Sequence, residues 1–182
     1  MKQNLPRGSK KLLNAWVFYD WANSVYSLVI NSAIFPIFYA AVSKKAFEDG
    51  NVPEILQGVN NESIIIVTTA TAFLIVSIIS PILSGIADYS GQKKRFLQFF
   101  CYLGAFSCIG LSVFSFDYLW ISLLIYMLAL IGFWGSLVFY NSYLPDIAFP
   151  EQQDAVSAKG FSMGYFGSVL LLIVCLLSLI HI

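Results

Sequence analysis

Charged side chains are scarce in this sequence. Only 11% of its 182 residues are Asp, Glu, Lys or Arg, against roughly 25% in an average soluble domain. Hydrophobic residues make up 58% of the chain and aromatic residues 16%. So apolar a composition excludes a soluble domain of this size and indicates an integral membrane protein.

Residues that bind metals or carry out covalent catalysis are also scarce. Histidine occurs once, and the three cysteines, Cys101, Cys108 and Cys175, lie inside apolar runs, where they behave as small hydrophobic residues. They offer neither a metal-ligand cluster nor a disulfide framework. No apolar run contains a pair of carboxylates. We therefore expect no enzyme activity, no bound metal and no cofactor.

Five apolar runs are each near or above the ~20 residues that a helix needs to cross a bilayer. They cover residues 16–42, 63–87, 96–116, 118–140 and 157–182. Lipid offers the backbone no hydrogen-bond partners, so the runs predict an all-α, polytopic transmembrane helix bundle. The first run is too long for a secretory signal and carries Asp20, so we interpret it as a retained span.

The distribution of Lys and Arg predicts the orientation. Residues 1–15 hold four of them, the hairpin after the second run three and the connection after the fourth run one, while the opposite side holds two. Cytoplasmic loops carry the excess of basic residues in membrane proteins. We therefore predict a cytoplasmic amino-terminal tail over 1–15 and a transmembrane domain over 16–182.

The first run carries a polar stripe. At 100° per residue, five polar positions fall within about 100° of one another on a helical wheel; these are Asp20, Asn23, Ser24, Ser27 and Asn31. A carboxylate exposed to mid-bilayer lipid costs at least about 2.5 kcal/mol, so the stripe must face protein or a water-filled cavity. It is either a set of hydrogen bonds between helices or a solute-binding surface. For Asp20, a gating or coupling role competes with direct solute contact.

Small residues recur on one face of the later runs. The fifth run shows this most clearly, with Ser157, Gly160, Gly164, Gly167 and Ser168. Such stripes let helix backbones approach closely, so they predict tight helix packing.

A short polar hairpin separates the second run from the third. Its frame consists of Gly85, Asp88, Gly91, Lys93, Lys94 and Arg95. Gly91 can take a positive φ in a tight reversal, and the three cations hold the loop on the cytoplasmic side. The frame resembles the signature loop between the second and third helices of the major facilitator superfamily. Tyr89 and Gln92 depart from it, because basic residues are usual at those positions.

Four stretches resemble one branch of that superfamily, the vacuole-effluxer-like permeases related to the autophagy amino-acid exporter. They are the Asp-Tyr-Ser-Gly form of the hairpin, residues 19–24 with 35–36, residues 140–147, and residues 157–167.

The resemblance implies the amino-terminal part of a transporter built from two six-helix halves and working by alternating access. The chain is then expected to be a fragment, its partners being the missing carboxy-terminal half, the lipid bilayer, a small solute and a coupling proton or ion, with no nucleic acid. Asp88 would be a gating residue in the hairpin. Cavity candidates on the first and fourth helices are Asp20, Asn23, Asn31 and Tyr140.

The resulting prediction is a secondary active transporter that exports a small polar solute, with amino acids as the candidate class. The membrane would be a bacterial inner or plasma membrane or a vacuolar membrane. Two alternatives stay open: a non-transporting structural or interaction protein, which includes an inactive fragment, and a lipid-handling member of the same fold.

Overall fold

The computed structural model describes residues 6–56 and 58–180 of the chain. Its α-helices are α1 Lys10–Val25, α2 Phe35–Glu48, α3 Asn61–Ser90, α4 Lys93–Gly110, α5 Leu119–Ile147 and α6 Pro150–Ile180. A π-helix, Tyr26–Ile34, joins α1 to α2, and short 3-10 turns occupy Glu54–Leu56 and Leu111–Val113. The described residues contain no strand, which confirms the all-α fold.

Five helical stretches are long and apolar enough to cross a bilayer. They are Lys10–Glu48, Asn61–Ser90, Lys93–Val113, Leu119–Ile147 and Pro150–Ser178. The shortest has 21 residues, about what the hydrocarbon thickness requires. The polytopic bundle predicted from the five apolar runs is therefore confirmed.

The helices extend beyond the apolar runs, most clearly between α5 and α6. The runs predict a connection over 141–156, whereas only Ala148 and Phe149 separate the two helices. Hydropathy indicates only which side chains suit lipid. A helix ends where its last backbone groups are capped, and that point can lie beyond the apolar run. Pro150 suits the first position of α6, because its fixed φ is helical and its missing N–H would have no partner there.

The π-helix Tyr26–Ile34 changes the face on which the later polar residues of the first span lie. In a π-helix the backbone bonds run from i to i+5, so each residue advances by less than 100°. The Ser32 hydroxyl follows this spacing and donates to the Ser27 carbonyl oxygen at 2.9 Å. A wheel at 100° per residue therefore applies only through α1, and the place of Asn31 on the stripe of Asp20 stays a prediction.

The chain divides into two compact units, the first combining residues up to Pro36 with residues from Tyr140 onward. Within it α1 and α6 run parallel, since residues further along α1 meet residues further along α6. Trp16 meets Gly160, and Trp21 meets Gly167. A β-carbon on Gly160 would lie 2.9 Å from the Trp16 ring. The glycine stripe of the fifth span is thus a close-packing face, as predicted.

The second unit, Ile37–Phe139, has its own aromatic core. Phe139 of α5 stacks on Phe96 and Phe100 of α4, with ring centroids 5.3 Å and 5.7 Å apart. A β-carbon on Gly132 of α5 would collide with the backbone of Gly104 of α4. The two backbones approach closely because both positions are glycine.

A polar contact joins the loop after α2 to the loop before α5 within this second unit. The Asn51 side-chain amide donates to Asp117 Oδ1 at 2.6 Å, and the Ser115 hydroxyl donates to Asp117 Oδ2 at 2.8 Å. Both hydrogen bonds favour the ionised carboxylate, and the bond from Asn51 has the larger effect. The pKa of Asp117 therefore lies below its usual range.

Candidate functional site

Tyr140 is the centre of an aromatic cluster in the first unit. Its ring stacks on Trp16 at 4.3 Å and on Tyr19 at 4.8 Å, one turn apart on α1. The Trp16 indole N–H also donates to the Tyr140 carbonyl oxygen at 3.1 Å. Only 3% of Tyr140 is exposed. These contacts hold the start of the 140–147 segment against the first span.

Asp20 is buried beside this cluster, with 6% of its surface exposed. Ser24, one turn further on, donates to Asp20 Oδ1 over a long 3.5 Å. The other carboxylate oxygen, Oδ2, faces α6 and lies 3.3 Å from the β-carbon positions of both Gly160 and Gly164. Within residues 6–56 and 58–180, Asp20 takes part in no ion pair. A carboxylate is therefore buried against glycine backbone with no positive partner.

The Tyr140 hydroxyl points into the seam between α1 and α6, where Asp20 Oδ2 lies against Gly160 and Gly164. It lies 3.5 Å from the β-carbon position of Gly160, the point that Asp20 Oδ2 approaches to 3.3 Å. The hydroxyl is buried and has no hydrogen-bond partner in the described part of the chain. Buried polar atoms are hydrogen-bonded in the great majority of cases, so this exception requires an explanation.

Two further buried donors on α1 lack partners among the described residues. They are the Asn23 side-chain amide nitrogen and the Trp21 indole nitrogen. Trp21 lies against Gly167 of α6. This part of the first span thus combines one negatively charged hydrogen-bond acceptor, Asp20, with the two unused donors of Trp21 and Asn23.

Asn31 lies further along the first span than this cluster. It belongs to the π-helix Tyr26–Ile34 and is half-buried. Among the predicted cavity residues, the structure brings Asp20 and Tyr140 together in the seam between α1 and α6. The role of Asn31 in the cavity stays a prediction.

The hairpin between α3 and α4 has the predicted backbone geometry. Gly91 ends α3 with φ 65°, and its N–H bonds to the carbonyl oxygens of Ala87 and Asp88. This is the left-handed cap that glycine favours. Gly85 has no neighbouring atom within 4 Å of its β-carbon position, so no close approach requires glycine there.

The charged side chains of the hairpin pair mainly with one another. Lys93 Nζ lies 3.0 Å from Asp88 Oδ1, and Arg95 donates to the Gln92 side-chain oxygen at 2.8 Å. The Asp88 side chain is still 57% exposed, and Lys94 is exposed. Asp88 thus has its nearest partner within the hairpin and remains accessible.

Sequence reasoning missed the role of Arg7 at the carboxyl end of α5. Its guanidinium donates to the Pro145 carbonyl oxygen at 2.7 Å and to that of Ala148 at 3.0 Å, and it lies 5.2 Å from the centre of the Phe149 ring. The Gly8 N–H, next in the chain, donates to the Ile147 carbonyl oxygen at 2.8 Å. The positive charge also suits the negative end of the helix dipole.

Lys159, near the start of α6, makes a second polar contact with the amino-terminal region. Its ammonium group donates to the Asn14 side-chain oxygen at 2.9 Å. Basic residues in the tail and after the fourth span were read only as signals of orientation. The available signal in the sequence was the glycine next to Arg7, which permits a tight bend, and in the structure Gly8 has φ 76°.

No metal site emerges from this part of the molecule. Among the described residues, no three His, Cys, Asp or Glu side chains come together in a way that could hold an ion.

A family model described as "Vacuole effluxer Atg22 like" matches residues 8–182. The "Uncharacterized MFS-type transporter YxiO" of Bacillus subtilis (strain 168) is 38% identical over 157 residues, which cover 86% of this chain and 35% of that protein. An "Uncharacterized protein" of Aquifex aeolicus (strain VF5) is 26% identical over 173 residues, 95% of this chain and 40% of that protein. The chain spans no more than two-fifths of the length of these relatives. No solved structure matches it.

Proposed function

Since the chain belongs to the vacuole effluxer Atg22-like family of major-facilitator-type, integral multi-pass membrane proteins, we propose that it forms part of a secondary active transporter for a small polar solute. The observation that carries this proposal is Asp20, which is buried beside Tyr140 in a segment able to span a membrane and has no ion-pair partner among the described residues. Ionisable residues inside membrane spans are costly and mark solute or ion pathways.

Amino acids are the solute class that we propose. Asn23 and Asn31 carry side-chain amides, which accept hydrogen bonds from an ammonium group and donate them to a carboxylate. One amide nitrogen, that of Asn23, is buried without a partner in the described chain. An amino acid offers both charged groups, so its carboxylate can accept the hydrogen bond of the Asn23 amide that lipid cannot accept.

We further propose that residues 1–15 and the hairpin from Gly85 to Arg95 lie on the cytoplasmic side of a cell or vacuolar membrane, and that 16–182 form part of a transmembrane domain. The basic residues of both segments support this orientation. In alternating access, the exposed carboxylate of Asp88 can exchange Lys93 for another partner as the two sides of the carrier open in turn.

The test is transport by the protein made from the complete reading frame that encodes this chain. The purified protein is reconstituted into proteoliposomes. The vesicles are loaded with a mixture of unlabelled amino acids, and the labelled mixture is added outside. We expect saturable exchange above protein-free vesicles, and loss of exchange in Asn23→Ala. Exchange no faster than in protein-free vesicles, with the protein correctly inserted, would reject amino acids as the solute.

A further inference from the structure

The buried carboxylate of Asp20 requires a positively charged partner or a bound proton. Burying an ionised carboxylate away from water is strongly unfavourable unless the carboxylate is paired, and unpaired carboxylates bind a proton instead. The candidates are a basic side chain, a metal cation and a proton.

The surroundings of Asp20 exclude a basic partner within the described chain. From α6 it faces Gly160 and Gly164, and Lys159, the cation beside them, donates to Asn14. From its own helix it faces Ser24, and the end of α5 contributes Tyr140, whose ring also contacts Tyr19. The titratable groups near the carboxylate are thus two tyrosines, which are neutral at physiological pH.

The seam is also unsuited to a metal cation. Ions such as Ca²⁺ and Mg²⁺ take about six or more oxygen ligands. The side-chain oxygens that approach Gly160 and Gly164 belong to three residues, Asp20, Ser24 and Tyr140, and the aromatic rings of Trp16 and Trp21 lie against the same glycine face. A proton needs no such set of ligands.

We propose that Asp20 is the proton-binding site of this carrier and that Tyr140 is its hydrogen-bond partner. The carboxylate forms an O–H bond with a proton taken from water on one side of the membrane and returns that proton to water on the other. Because Gly160 of α6 has no side chain, Asp20 Oδ2 and the Tyr140 hydroxyl both approach its β-carbon position, to 3.3 Å and 3.5 Å. The coupling role rests on the proposed transport function, whereas the proton site does not.

Infrared difference spectroscopy tests the proton site directly. The full-length protein in lipid nanodiscs is titrated with pH while the C=O stretch of protonated carboxyl groups is recorded. We expect a band that is present at neutral pH, is lost in Asp20→Asn and is kept in Asp154→Asn, which alters an exposed carboxylate of α6. A band that survives Asp20→Asn, or no band at neutral pH, overturns the proposal.

A second pair of variants keeps the test available if Asp20→Asn fails to fold. Tyr140→Phe removes one oxygen atom and is expected to shift the frequency of the band. Tyr165→Phe, on the exposed face of α6, is expected to leave it unchanged. Equal frequencies in the two variants would contradict the role of Tyr140.

Coupling is tested separately with a pH-sensitive dye inside proteoliposomes. We expect amino-acid addition to move protons in the wild type, and Asp20→Asn to lose accumulation driven by a pH gradient. Solute movement without proton movement in the wild type overturns the coupling role. If no solute moves, the proposed function fails, and the infrared result alone decides the proton site.

Discussion

At the scale of residues, two glycines of α6, Gly160 and Gly164, determine what Asp20 can contact. The sequence predicted that Gly160, Gly164 and Gly167 form a packing face, because helical periodicity places them together. It did not predict that Asp20 packs on that face, because periodicity says which residues share a side of a helix and not which helix lies against it. The structure decides this through contacts with Trp16, Asp20 and Trp21.

Gly167→Ala is expected to lower the thermal stability of the full-length protein. The added β-carbon would overlap the Trp21 ring, and overpacking of this kind costs about 1–3 kcal/mol. The measurement is thermal unfolding in detergent. Gly85→Ala is the matched control, since nothing lies within 4 Å of its β-carbon position and Ala is favoured over Gly in a helix by roughly 0.5–1 kcal/mol. Equal melting temperatures for the two variants would contradict tight packing at Gly167.

At the scale of elements, the end of α5 is held by residues from the amino-terminal tail. The last carbonyl groups of a helix have no partners within it. Arg7 and Gly8 bond to three of these groups in the segment Pro145–Ala148. The sequence could predict that the tail is basic, but not that one arginine serves as a helix cap, because the two segments are 138 or more positions apart.

Arg7→Gln is expected to loosen this docking and to lower stability by about 1 kcal/mol, the usual contribution of a hydrogen bond. Hydrogen exchange should become faster at the Gly8 amide, whose bond to Ile147 depends on the docked tail. Lys10→Gln removes the same charge from an exposed side chain and should leave exchange unchanged. Identical exchange in both variants would contradict a specific role of Arg7 in docking the tail.

The π-helix is the element that sequence periodicity could not predict. Its formation depends on a shift of backbone bonding from i+4 to i+5 between Tyr26 and Ile34, with no distinct pattern of residue types. Asn31 lies within this π-helix. A wheel drawn for a regular α-helix therefore does not give the direction of its side chain.

At the scale of the whole molecule, the proposed transport function predicts that the hairpin between α3 and α4 changes partners. Asp88 is paired with Lys93 at 3.0 Å and is still 57% exposed, which suits a group that alternates between two contacts. Exposed ion pairs contribute little to stability, about 0–1 kcal/mol, so the pair can open at small cost.

Asp88→Asn in the full-length protein is expected to abolish solute exchange and to leave membrane insertion unchanged. The amide keeps the shape of the side chain and removes the charge that pairs with Lys93. The measurement is exchange in proteoliposomes, with Asp154→Asn as the control. Normal exchange by Asp88→Asn would count against a gating role.

The sequence alone determined that this protein is an all-α membrane protein with five helical stretches able to span a bilayer. It could do so because lipid requires apolar side chains and internally bonded backbones, and both requirements are met locally along the chain. Tertiary structure alone decided that Asp20, Tyr140 and the glycines of α6 share one seam. Trp16 and Tyr140, which bond at its edge, are 124 positions apart. Such a contact depends on how separate helices pack, and no local pattern encodes it.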